Sequence, residues 1–172
     1  FTMGQRTIQI LFALLRSAIC GTNLTEDERN IYSPDMLQDL LKISSKHDVV
    51  HLVVLGLKRN DLMPQENIGI EKYIFRAVYR YERINYELER ICLSLEEAKI
   101  PFVPLKGAVL RAYYPEPWMR TSCDIDILVH QYDLDRTINY LSNNLQYALK
   151  DRSTHDVSLY TSQNVHVELH FS

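Results

Sequence analysis

The chain has 172 residues, 46% of them hydrophobic, enough to bury a core as one domain or as two closely packed lobes. A formal net charge of -3 gives no general electrostatic pull toward nucleic acid or an anionic membrane surface. Cys20, Cys92 and Cys123 are widely spaced, form no CxxC pair, and read as the reduced thiols of a cytoplasmic protein.

The first half reads as helices, up to about Ala98. The apolar run from Ile8 to Cys20 is interrupted by Arg16 and is too short to span a bilayer, and no cleavage signature beside a basic start marks a signal peptide. "TIQILFALLRSAI" instead predicts a helix with a broad apolar face, ended by Gly21. Ser33 and Pro34 fit the N-cap and first position of a second helix, whose stripe is Met36, Leu37, Leu40 and Leu41. "DVVHLVVLGLKR" is almost wholly apolar and is read as a buried helix rather than a strand. The clearest pattern follows. Ile70, Ile74, Ala77, Tyr81, Ile84, Leu88, Ile91 and Leu95 alternate in steps of four and three, predicting one helix from about Ile68 to Ala98 whose seam packs on other N-terminal helices. The tyrosines and arginines of this segment resemble a nucleic-acid surface, but Tyr81 lies in the seam, and Arg83–Glu87 and Glu87–Arg90 have ordinary helix-pair spacing.

After Lys99 the pattern changes. "IPFVPLKG" predicts a short strand closing on Lys-Gly, "AVLRAYY" a short helix, and "PEPW" a loop. "CDIDILVH" predicts a strand and "YDLDRTINYLSNN" a helix. "LQYALKD", "DVSLYTS" and "VHVELHF" predict three more strands. The expected fold is α+β: a helical lobe over residues 1–98, then a small mixed-sheet lobe over 99–172. The chain opens on Phe1 and stops just after a strand-like segment, so it is expected to be part of a longer protein, with residues beyond Ser172 able to complete a pocket.

Within "RTSCDIDILVHQ", Asp124 and Asp126 lie two residues apart in what is otherwise an apolar strand. Aspartate is depleted in strands, and a buried ionised carboxylate is costly unless paired or bound to metal. Residues i and i+2 share a strand face with Cα atoms about 6–7 Å apart, so the two carboxylates project together while Ile125, Ile127 and Val129 anchor the other side. Magnesium takes carboxylate oxygens at about 2.0–2.1 Å and completes its shell with water and substrate phosphates. Two such ions about 3.5–4 Å apart can clamp both oxygens of a phosphoryl transfer. A third carboxylate is then needed, and Glu168 in "VHVELHF" alternates with apolar residues so as to face the same way. Three gathered acids repel, so at least one is expected to have a raised pKa. His166 and His170 flank Glu168, but no HExxH pattern marks a zinc site; His170 reads as an outer partner of Glu168.

"PFVPLKGAVLRAYYPEPWMRTSCDIDILVH", followed some forty residues on by "VHVELHF", resembles the uncharacterised nucleotidyltransferases of the DNA polymerase β-like superfamily. The resemblance is specific from Ile100 to His130, supported at Val165 to Phe171, and compatible in the helical half. It implies that Asp124, Asp126 and Glu168 form the catalytic, metal-binding triad for Mg2+ or Mn2+. It also implies that the Lys106-Gly107 turn faces the nucleotide phosphates and that Arg120 contacts phosphate. Ala108 follows Gly107 where the superfamily usually has Ser or Gly, removing a hydroxyl contact, and the stretch from this turn to Asp124 is longer than the superfamily norm.

The implied reaction transfers a nucleoside monophosphate from an NTP, ATP or another, to the hydroxyl of a small-molecule or protein acceptor and releases pyrophosphate. The alternatives are a catalytically inactive nucleotide-binding or toxin–antitoxin type module, and a helical interaction module whose sheet is scaffold. The scaffold reading leaves two strand aspartates without a partner charge. Taken singly, each signal has a plain structural reading: a DxD is common on exposed strands, Glu168 fits a solvated edge, and Lys106 or Arg120 fits an ordinary ion pair. Their combination favours the enzyme.

Overall fold

Thr2 and Gln5 close a reciprocal capping box at the start of α1 (Met3–Cys20), and Gly21, at φ 71°, ends it by donating its N–H to the Ser17 carbonyl. The structure, a computed structural model, describes residues 2–64 and 69–172. A second box, Thr25 with Glu28, starts the short α2 (Glu26–Ile31), and Arg16 of α1 pairs with Glu28 at 2.8 Å. After a 3₁₀ turn opened by Pro34 come α3 (Leu37–Lys46) and α4 (Val50–Arg59), the latter in the "VVHLVVLGL" run.

Contacts divide the chain into two compact units. The first contains Phe1–Tyr79 and Tyr114–Thr121; the second contains Arg80–Tyr113 and Ser122–Ser172. In the first, Ile10, Leu14, Leu40, Val53 and Leu57 are fully buried and form the centre of the helical core. Gly56 makes the α1–α4 approach possible, since a Cβ there would stand 2.5 Å from the Leu14 carbonyl oxygen. The 114–121 segment joins this unit through Trp118 and Met119, which pack near Ala18 and Leu52, and the buried His51 Nε2 lies 2.9 Å from the Met119 carbonyl oxygen.

Helix α5 (Lys72–Glu97) is continuous past Asn85, whose side chain bonds Glu89 on the exposed face. The expected start at Ile68 lies outside the described residues, and Ile70 sits in the turn before the helix. One expectation about its seam needs correction. Ile84, Ile91 and Leu95 are buried with Ile127, Leu141, Leu159 and Leu169 of the second unit, so this end packs on sheet and helix α7, not on N-terminal helices. At about 1.5 Å per residue a 26-residue helix is near 39 Å long and outruns a single small core.

The second unit contains β1 (Phe102–Pro104), α6 (Gly107–Leu110), β2 (Asp124–Val129), α7 (Leu134–Leu145), β3 (Ala148–Arg152), β4 (Asp156–Tyr160) and β5 (His166–Phe171). The sheet order is β1-β2-β5-β4-β3, with β2 and β5 parallel and the other neighbours antiparallel. Alternation gives it two unlike faces. Ile125, Ile127, Val129, Val157, Leu159, Val167 and Leu169 are buried in the core, while the polar residues of β2, β4 and β5 project opposite. The protein is thus α+β with a helical N-terminal part, and among the described residues no helix is long and apolar enough to cross a membrane.

Candidate active site

The β2–β5 register pairs Asp124 with His166, Asp126 with Glu168, and Leu128 with His170. Directly paired residues of neighbouring strands project to one face, so both aspartates, Glu168 and both histidines stand together. Ligand atoms of Asp124, His166 and Glu168 lie within 4.8 Å of one another, and so do those of Asp126, Glu168 and His170. Glu168 is common to both groups.

Asp126 is the most enclosed member, its side chain only 3% exposed. Its Oδ1 accepts a hydrogen bond from Lys106 Nζ at 2.8 Å and lies 2.8 Å from His170 Nε2. Burial pushes the Asp126 carboxyl up, but the Lys106 and His170 hydrogen bonds together outweigh it and hold the group below the usual aspartate range. The expectation of a raised acid therefore fails at Asp126: two donors on one oxygen, with the Lys106 and His170 charges beside it, more than offset desolvation. His170 Nε2 is 3.6 Å from Glu168 Oε2, so its nearer partner is Asp126, not Glu168 as the sequence suggested. On the other side His166 Nε2 is 3.8 Å from Glu168 Oε1 and 3.1 Å from Ser158 Oγ, and its ring stacks on Tyr160 with centroids 4.5 Å apart.

Lys106 reaches this face from the turn between β1 and α6. The Leu105 N–H donates to the Asp126 carbonyl at 2.9 Å and ties the turn to β2. Lys106 adopts φ 43° and ψ -104°, an arrangement costing about 1–3 kcal/mol for a residue with a side chain. Its ammonium, 59% exposed, is held above the usual lysine value first by the Asp126 hydrogen bond, with the charges of Asp126, Glu168 and Asp124 adding. Gly107 is buried as the first residue of α6. Asp124, Asp126, Glu168, Lys106 and Gly107 thus belong to one compact unit, whereas Arg120 belongs to the other, with its Nη1 buried and without a hydrogen-bond partner.

Arg111 carried no recognisable signal in the sequence. It is 5% exposed, donates to Ser122 Oγ just before β2, and lies 5.5 Å from the Tyr81 ring centroid. The histidines did carry one, because strand parity in "VHVELHF" sets both on the face of Glu168; their distances to the aspartates depend on pairing that parity does not reveal.

A family model described as uncharacterised nucleotidyltransferase matches residues 33–172. The chain belongs to this family. No curated protein and no solved structure matches the chain. Membership carries nucleotidyl transfer as the reaction class and an NTP as the implied substrate. Enzymes of this class generally use divalent ions, and the two carboxylate–histidine groups are chemically able to hold one.

Proposed function

We propose that the protein transfers a nucleoside monophosphate from an NTP to a hydroxyl-bearing small molecule or protein. The observation that carries this reading is the alignment of Asp124 and Asp126 with Glu168 across the parallel β2–β5 pair, in a member of a nucleotidyltransferase family. Asp124, Asp126 and Glu168 would hold Mg2+ or Mn2+, which when bound neutralises phosphate charge and polarises the reacting oxygens.

The remaining work falls to the chain. The acceptor oxygen forms a bond to the α-phosphorus as the bond from that phosphorus to the bridging oxygen of the β-phosphate breaks, and pyrophosphate departs. The hydroxyl proton needs a base. Asp126 is a poor one, because Lys106 and His170 hold its carboxyl below the usual range. We assign that task to Glu168, which is half-buried and open to the same face. Lys106, exposed and cationic, is the group of this turn able to meet the leaving phosphates, with Gly107 letting the backbone come close. Arg120 is proposed as a further phosphate contact on chemistry alone, as a guanidinium with an unpartnered nitrogen. A DNA polymerase β-like fold for the sheet-bearing part of the chain belongs to the same proposal.

The test uses NTPs labelled at the α or the γ phosphate, offered with fractionated acceptors. Transfer of the α label with release of pyrophosphate, lost in Asp126→Asn, is the expected result. Transfer of the γ label, or α transfer indifferent to Asp126, overturns the reading.

A further inference from the structure

We infer that His166 and His170 are themselves metal ligands, so that the site takes a first-row transition ion such as Co2+ or Zn2+ in preference to Mg2+. The inference rests on the metal-centre reading above and concerns which ion the donors select. Each aspartate has its own imidazole: Asp124 is paired with His166 in the strand register, and Asp126 Oδ1 lies 2.8 Å from His170 Nε2. Glu168 stands between them, its two oxygens shared out, Oε1 3.8 Å from His166 Nε2 and Oε2 3.6 Å from His170 Nε2.

Donors bound to one ion at about 2.0–2.2 Å cannot lie further apart than about 4.4 Å, and adjacent positions of a tetrahedron or octahedron hold them near 3.0–3.5 Å. The three separations of 2.8, 3.6 and 3.8 Å straddle that adjacent-donor range and fall inside the outer limit. The ring nitrogen that points at the carboxylates is Nε2 in both histidines. Both rings are also restrained. His166 is stacked on Tyr160 with 13° between the planes and meets Ser158, while His170 is set by strand β5 beside Asp126.

Oxygen-only sites suit magnesium, whereas imidazole suits zinc, copper, iron and nickel, and an ion bound by mixed nitrogen and oxygen gains little if it is magnesium. A histidine that merely oriented Asp126 would improve the binding of every cation alike. A histidine that coordinates improves transition ions selectively. That difference separates ligand from positioning residue.

The experiment titrates the full chain with Co2+ alone and with Mg2+ alone, by calorimetry for affinity and by visible absorption for nitrogen ligation of cobalt. It compares wild type with His170→Gln, whose amide keeps a hydrogen-bond donor near the Nε2 position without an imidazole, and with His166→Gln. Melting curves confirm that each variant folds. The expected result is that wild type binds Co2+ tighter than Mg2+ and that each substitution weakens Co2+ by about 10–100-fold, changes the cobalt spectrum, and leaves Mg2+ affinity nearly unmoved. Equal losses for both ions, or a cobalt spectrum unchanged in both variants, would overturn the inference while leaving a carboxylate metal site standing. If wild type binds neither ion, with or without added NTP, the inference falls together with the reading of the site as a metal centre.

Discussion

Asn60 and Asp126 are both polar, nearly isosteric side chains that are almost wholly buried, one in the helical unit and one in the sheet unit, and their partners differ in kind. Asn60 is fixed on every side: Oδ1 accepts from the Leu24 N–H at 2.8 Å and from Arg29, and Nδ2 donates to Ser17 Oγ and the Gly56 carbonyl, each at 2.8 Å. Most of these partners are backbone or short side chains that cannot leave. Asp126 instead meets a lysine that is 59% exposed and a histidine that is 22% exposed, both on one oxygen. Such partners can exchange for another cation at modest cost, since long exposed side chains lose little by returning to water. Burial with fixed partners marks architecture; burial with replaceable charged partners marks a site.

The largest expected effect separates the two residues directly. Asp126→Asn keeps shape and hydrogen bonding but removes the charge, and should lower nucleotidyl transfer by at least about 10²–10³-fold while shifting the melting temperature by only a few degrees. Asn60→Ala should do the reverse. It strands the Leu24 N–H in the interior and removes the bonds to Ser17 Oγ and the Gly56 carbonyl, which keeps the Asn60 backbone N–H, and should cost about 1–3 kcal/mol in chemical denaturation, with the transfer rate per folded molecule unchanged. A loss of rate in Asn60→Ala without loss of stability would break the contrast.

A smaller effect sharpens the architectural side. Gly56→Ala should cost about 1–3 kcal/mol, because the new methyl meets backbone atoms of Leu14, which cannot rotate away as a side chain would. A neutral result would show that α1 and α4 can separate without penalty.

The smallest effect is the acid limb of stability. The folded Asp126 carboxyl lies below its unfolded value, so the folded state takes up its proton less readily. Its contribution is fully present above the unfolded pKa, about 3.9, and is lost as pH falls through the folded value. Denaturation midpoints measured from pH 6 down to about pH 2 should therefore fall more steeply in wild type than in Asp126→Asn. Parallel slopes would mean that Lys106 and His170 do not favour the charged carboxylate.

Much of the fold was legible because its signals are local. Parity in "CDIDILVH" and "VHVELHF" put three acids on strand faces, and the seam from Ile74 to Leu95 set out α5 to within a few residues. Helix α2 has a local signature, the capping box of Thr25-x-x-Glu28, but no apolar stripe, since none of the six residues that follow is buried. What periodicity could not give was the partner of each face. It shows that Ile84 and Ile91 are buried but not that sheet residues cover them. It shows that His170 faces the acids but not that the parallel register carries it to Asp126 at 2.8 Å. Lys106 is the same case: the Lys-Gly turn was visible, while its contact with Asp126 depends on the Leu105–Asp126 backbone bond that folds the turn over β2. Long-range pairing has no local trace in a single sequence.

Binding of a divalent cation by Asp126 and its neighbours is the central claim, and thermal unfolding with and without that cation measures it most directly. Manganese at a hundredfold excess over its dissociation constant should stabilise the wild type by about 2.7 kcal/mol, roughly 5–11 °C for a chain of this size, with NTP adding to the shift, and Asp126→Asn should not respond. A wild-type melting temperature that ignores both manganese and NTP, or an Asp126→Asn protein that responds as fully as wild type, would contradict it.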